Sequence, residues 1–260
     1  TGQAARTDIK ALEYVNGTSW VAVPVNGQVT MAAGQTELQV RVPTVQDSVY
    51  EGNENFQITA NLSPAVGATG TGTIVDDGSP TPPPPGPGPF PTPEDDRPRV
   101  QGVSNATAIE GGSSSIAKDL IFDVTLSNRS TTETTVTLAL NTATTNGATI
   151  TGTALDIGVR SVSFDGGKTY TVFTGNDIKV PANTDPTQIK VKLEVLNDSL
   201  VENTETLTLS AKTQYETGAG QTGTGTILDN DTAPTVGNTS ATLSEEGLNS
   251  GLKDTTGSSD

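Results

Sequence analysis

The chain has 260 residues, room for two domains of ordinary size that could each bury a core. It contains neither Cys nor His, which excludes thiol nucleophiles, disulfides, zinc centres and every Ser-His-Asp arrangement. The formal charge is −16, from 30 acidic and 14 basic residues, so the surface repels phosphate backbones and argues against nucleic acid as a partner.

Small β-branched residues and turn formers dominate, aromatics make up only 4%, and no sustained helical period occurs. The expected class is all-β, as tandem antiparallel β-sandwich modules joined by a Pro-rich linker. No apolar run reaches the ~20 residues of a membrane span, so no membrane insertion is expected in this fragment. The opening Thr-Gly suggests an excised piece of a longer exported protein.

Residues 1–77 contain VQDSVYEGNENFQITANLSPAVGATGTGTIVDDG, and residues near Asp198 repeat it as VLNDSLVENTETLTLSAKTQYETGAGQTGTGTILDND. The stretches upstream also align, with Thr1 falling near Thr151, so residues 1–77 read as the C-terminal part of a module. Trp20 stands where the second copy has Tyr170 and is expected to pack. Residues 78–99 form a Pro-rich linker, semi-rigid at roughly 3.1 Å per residue and expected to hold two modules apart.

Residues 100–232 read as a complete module of about seven short strands. Phe122, Val124 and Leu126 alternate, as do Val136, Leu138 and Leu140; Ile189 to Val195 and Leu207 with Leu209 continue the pattern. Asp165-Gly166-Gly167 supplies the positive-φ positions of a hairpin turn. Residues 233–260 read as the start of a further module or a junction.

Acidic residues recur at matching places while their neighbours drift. The second copy has Glu110, Asp156, Asp198, Glu202, Glu205, Asp229 and Asp231; the first has Asp8, Asp47, Glu51, Glu54, Asp76 and Asp77. Acids converging from several loops suit Ca²⁺, which takes six to eight hard oxygen ligands. Solvated loop acids without a metal are the plainer alternative.

These motifs resemble the Calx-beta family: AIEGG, ALDI, NDSLVENTE and GTGTILDND in the second copy, VQDSVYEGNE and GTGTIVDDG in the first. The resemblance implies calcium ligands Glu110, Asp156, Asp198, Glu202, Asp229 and Asp231 at one end of the sandwich. It implies Asp8, Asp47, Glu51, Asp76 and Asp77 for the first copy. Glu54 and Glu205 stand either behind the ligands or on the surface. Asn197 and Gln46 replace an acid that the family often carries, and the first copy lacks its opening Glu, so fewer ions per module are expected.

The tail TSATLSEEGLNSGLKDTTGSSD is similar to module junctions of RTX adhesins exported by type I secretion. The implied role is a calcium-stabilised extender module on the bacterial cell surface, partnered by neighbouring modules, with a host or surface ligand bound elsewhere in the parent. A calcium-dependent module binding a glycan or protein is the alternative. An enzyme is not expected, because the acids sit in repeated terminal loops instead of one cleft.

Overall fold

The computed structural model describes residues 2–3, 8–63, 66–76, 95–113, 115–152 and 154–235. Every regular element among them is a strand. The first copy contributes β1 (Gly2–Gln3), β2 (Glu13–Asn16), β3 (Ser19–Ala22), β4 (Val40–Arg41), β5 (Val49–Tyr50), β6 (Glu54–Ser63) and β7 (Val66–Ile74). The second contributes β8 (Val100–Val103), β9 (Ala106–Ile109), β10 (Asp119–Leu126), β11 (Arg129–Ser130), β12 (Thr134–Thr142), β13 (Ile157–Ser163), β14 (Thr171–Val172), β15 (Asp177–Val180), β16 (Ile189–Val195), β17 (Glu205–Thr213) and β18 (Gln221–Leu228).

The second copy is a sandwich of two five-stranded sheets, ordered β14-β13-β16-β10-β8 and β15-β12-β17-β18-β9. Alternation along each strand builds its core. Leu120, Phe122, Val124 and Leu126 of β10 are buried beside Ile189, Val191, Leu193 and Val195 of β16. Val136, Leu138, Leu207 and Leu209 close the core from the second sheet. Each such side chain contributes about 1.5–3 kcal/mol on burial. The glycines of GTGTI have a packing reason: a Cβ on Gly225 would sit 2.8 Å from Leu120 Cδ1 and 3.0 Å from Phe122 Cζ. The turn glycines Gly166 and Gly167 have φ of 76° and 94°, as the hairpin requires.

Within the second copy, one strand pairing departs from the antiparallel expectation. After pairing β10 through β8, the chain crosses sheets at Ser104-Asn105, and β9 runs parallel to β18. That crossing delivers Glu110, directly after β9, to the end of the sandwich where β18 finishes.

The first copy repeats part of this topology. β3-β2-β4 matches β14-β13-β16, and β6-β7 matches β17-β18. β1 lies parallel to β6, as Gly147 bridges Thr206 in the second copy. Among the described residues of 1–77 there are no counterparts of β8, β9, β10 and β12. The buried hydrophobic core among the described residues accordingly begins at Val100, while Val25, Leu62 and Val66 stand exposed. A Cβ on Gly223 would strike Ser104 O at 2.1 Å, whereas one on Gly70, its counterpart, would meet nothing. Gln28–Gln39 forms no strand for the same reason, since its counterpart β15 pairs with β12.

The two copies touch, which corrects the expectation of a spacer holding them apart. β5 pairs in parallel with β11, and Thr131 N donates to Tyr50 O at 2.9 Å. The rings of Tyr50 and Tyr215 meet edge to face at 5.4 Å, and Arg97 lies over Tyr215 at 5.9 Å. Burial and a hydrogen bond to Tyr215 push the Tyr50 hydroxyl up to about 12. Residues 77–94, which hold most of the Pro-rich linker, and residues 236–260 lie outside the described residues.

Candidate metal centre

At one end of the second module, β9, β16 and β18 finish while β13 and β17 begin. Carboxylate oxygens of Glu110, Asp198 and Glu202 lie there within 4.8 Å of one another. The same holds for Glu110, Asp229 and Asp231, and for Asp156, Glu202 and Glu205. The three groups share Glu110 and Glu202, so they form one continuous cluster. Glu205, which the sequence left undecided, belongs to it.

Local hydrogen bonds fix these acids. Asp198 Oδ1 accepts from Leu200 N at 2.7 Å, and Asp229 Oδ2 accepts from Glu202 N at 2.8 Å. Asp156 accepts from Thr149 N, and its own carbonyl accepts from Leu196 N at 2.9 Å. Asn197 and Asn230 brace the loops: Asn230 Nδ2 donates to Asn197 Oδ1 at 2.7 Å and to Glu110 O at 2.5 Å.

The first copy repeats several of these contacts. Asp47 Oδ1 accepts from Val49 N at 2.8 Å, and Asp76 Oδ2 accepts from Glu51 N at 2.8 Å. The carbonyl of Asp8 accepts from Val45 N at 2.7 Å, as that of Asp156 does from Leu196. Asp8, Glu51 and Glu54 bring oxygens within 4.8 Å of one another, so Glu54 also joins its cluster. Asp47 and Asp76 line the same polar cavity. Asp77 lies outside the described residues.

Such crowding is unfavourable between ionised groups. Two carboxylates 4.8 Å apart repel by about 3.5 kcal/mol at an effective dielectric of ~20. The acids respond by holding protons. Burial first, then Glu202, Asp198 and Asp229, push Glu110 up to about 7. Burial and Asp156 push Glu205 to about 7, and burial and Asp8 do the same for Glu54. Burial, Asp96 and Glu51 push Asp76 to about 6. Glu51 and Glu202 are raised as well, burial again leading.

A hard divalent cation fits this donor set. The chain offers no His or Cys, so every side-chain ligand in the clusters is a carboxylate oxygen. Glu110 Oε2, Glu205 Oε2 and Asp231 Oδ2 are buried without a hydrogen-bond partner. Buried acceptors left so are costly, and cations held within the cluster would satisfy them.

The sequence missed one acid. Asp96 is 8% exposed and lines the cavity of Asp8, Asp47, Glu51 and Asp76. Gln46 Nε2 donates to its Oδ2 at 2.9 Å, and Asn128 Nδ2 to its Oδ1 at 3.2 Å. A signal for it existed. The pair Asp95-Asp96 stands just before Pro98, as Asp231 stands just before Pro234, each ahead of a Pro-x-Val, although by count Asp95 and not Asp96 falls at the place of Asp231. The Pro-rich insertion separates Asp96 from Asp76 in sequence and hides the match.

Fold and site together define a β-sandwich module whose one end is an acidic, cation-ready cluster. The family model described as Calx-beta domain matches residues 16–77 and 116–232, more than half of the chain, and the chain belongs to that family of calcium-binding, non-catalytic β-sandwich modules. Such domains occur in extracellular regions, and no helix among the described residues is long and apolar enough to cross a membrane. No curated protein matches the chain. Asp8, Glu110 and Asp96 fall outside the matched residues, although the structure places each in an acidic cluster.

Proposed function

We propose that the chain is a run of calcium-stabilised extender modules from a secreted bacterial surface adhesin, supporting cell adhesion or biofilm attachment. The observation that carries this reading is the acidic cluster with its three orphaned carboxylate oxygens at one end of the sandwich. Glu110, Asp156, Asp198, Glu202, Asp229 and Asp231, joined by Glu205, would hold calcium in the second module. Asp8, Asp47, Glu51 and Asp76, with Glu54, would do so in the first, and Asp77 belongs to the same proposal. Bound calcium supplies positive charge that neutralises the crowded carboxylates and links loops that no disulfide can join.

The direction of the contact between copies supports an extender. The acidic end of the first copy meets Asp96, residues 129–131 and Tyr215 of the second. Those residues lie at the end opposite the acids of the second module, because β10 and β17 run away from Asp119 and Glu205 toward them. The modules are thus joined end to end, and the partners of this segment are its neighbouring modules. A ligand of the whole adhesin would bind elsewhere in the parent.

Small-angle scattering in millimolar calcium tests the reading. The radius of gyration should lie well above the roughly 18 Å of one compact globule of this length. A compact particle would favour the alternative, a single calcium-dependent unit that binds a glycan or protein.

A further inference from the structure

We propose that a cleft between the two sheets of the second module captures the free carboxyl end of a polypeptide whose last residue is apolar, with Arg160 holding the carboxylate. None of the lining residues belongs to the acidic cluster or to the joint between the copies, and the proposal needs no bound cation.

The cleft opens at the side of the sandwich where both sheets end early. β14 pairs only with Ser161 and Val162 of β13, and β15 only with Thr134–Thr137 of β12. Beyond those pairings the edges of β12 and β13 carry no further strand, and a cavity of about 410 Å³ lies between them. Leu140, Ile150, Leu155 and Ile157 line it, with Arg160 and Asn176 beside them. Leu140 and Ile150 are only partly buried and Leu155 is 37% exposed, so apolar surface is left wet.

A β-bulge aims Arg160 into this cleft. Ile157 pairs with Val195 and Arg160 with Leu193, three steps along β13 against two along β16. Val195 and Leu193 both face the core, so the extra residue leaves Ile157 and Arg160 on the core-facing side together, where a regular strand would set them on opposite faces. The guanidinium lies 5.7 Å from the Phe173 ring centre. It makes no ion pair or hydrogen bond among the described residues, whereas Arg41, Arg97 and Arg99 are each held by a carboxylate. With 30 acidic residues in the chain, a half-buried arginine that none of them reaches is free to receive an incoming carboxylate.

The fold does not require that arginine. Leu12 stands in its place in the first copy: Val23 N donates to Leu12 O at 2.8 Å, as Phe173 N does to Arg160 O at 3.1 Å. Ile9 there bridges Thr44, as Ile157 pairs with Val195. A position that leucine fills in one module and an unpartnered arginine fills in the other points to a ligand instead of packing.

Charge and edge together select the occupant. A planar guanidinium receives a carboxylate through two parallel hydrogen bonds. The apolar walls take the side chain next to that carboxylate. The edge of β12 offers backbone groups to the residues before it: Leu138 N donates to Asn176 O at 2.7 Å, and Leu140, two residues on, points its N–H and C=O the same way, past the start of β15 at Asp177. A fatty acid would use the arginine and the walls but leave that edge unused.

Fluorescence polarisation on the full chain in millimolar calcium, with fluorescein-labelled peptides Gly-Ser-Thr-Thr-Leu and Gly-Ser-Thr-Thr-Phe, tests the assignment. The free acids should bind saturably, and the corresponding C-terminal amides about 10- to 100-fold more weakly, as expected on losing charge-assisted hydrogen bonds. Arg160→Leu, which installs the residue the first copy carries, should weaken the free acids to the same extent with an unchanged melting temperature. Arg160→Lys keeps the charge without the fork and should recover only part of the affinity. Equal binding of acid and amide, or full affinity in Arg160→Leu, overturns the proposal. Tighter binding of decanoate than of either peptide also overturns it, making the cleft a fatty-acid site, as does the absence of peptide binding to the unaltered chain.

Discussion

Neutralising Glu110 should change the stability of the second module in opposite directions with and without calcium. Glu110 is 3% exposed, belongs to two of the carboxylate groups, and has one oxygen buried without a partner. In Glu110→Gln the shape is kept and the charge removed. Without calcium, each ionised neighbour within 4.8 Å costs about 3.5 kcal/mol at an effective dielectric of ~20. With Glu110 pushed up to about 7, only about half of that repulsion operates at neutral pH. Its removal should raise the melting temperature by about 7 °C for each neighbour that is ionised, at roughly 4 °C per kcal/mol for a domain of this size.

In calcium the sign reverses. One fewer anionic ligand should weaken binding about 10- to 100-fold, a loss of roughly 1.4–2.8 kcal/mol at fixed excess calcium. The melting temperature should then fall by about 5–10 °C. Scanning calorimetry of the full chain, in millimolar calcium and in excess chelator, reads both limbs. A variant that is destabilised equally in the two conditions would refute the reasoning, because Glu110 would then matter only for packing. The unaltered module should itself melt at a markedly higher temperature in calcium.

Three further outcomes are expected. Without calcium, stability should fall as pH rises from about 4.5 to 7, because raised carboxyls make the folded state bind more protons than the unfolded chain; in calcium the slope should invert, as seen by melting at stepped pH. Asp95, held low by Arg97, acts only below that window. Gly225→Ala should cost about 1–3 kcal/mol in chemical denaturation, since its Cβ would press on Leu120, Phe122 and Leu207. Residues 1–77 alone should melt without a cooperative transition by circular dichroism, for their hydrophobic side chains lie outside the buried core; a sharp transition would contradict the half-module assignment.

Alternation carried most of the fold into the sequence. Phe122, Val191 and Leu209 face inward because their strands have one wet face, and period two reveals that without any partner being known. The same rule could have settled Glu205 and Glu54: each lies two residues before an inward-facing position, Leu207 and Phe56, on the same strand face. What stayed hidden depends on pairing over long distances. Nothing in Ala106–Ile109 announces that this strand leaves the sheet of β8 to run parallel with β18. Tyr50 and Tyr215 meet only through a joint that no local pattern encodes. Asp96 was hidden because an insertion separates it from the acids it joins.

The joint also explains how a long insertion can sit at a junction without separating the modules. Asp76 and Asp96 flank the Pro-rich segment and line one cavity. Both ends of that segment therefore lie at one cavity, and its length does not set the distance between the copies. Closing a longer loop adds only about 0.6 kcal/mol per doubling, less than the contribution of a single buried ring. The seam instead depends on surfaces that differ: an acidic end on one side, and on the other the opposite end with Arg97, Asn128 and Tyr215. A contact between unlike surfaces does not close on itself, so a further module joined in the same way would extend the pair in the same direction.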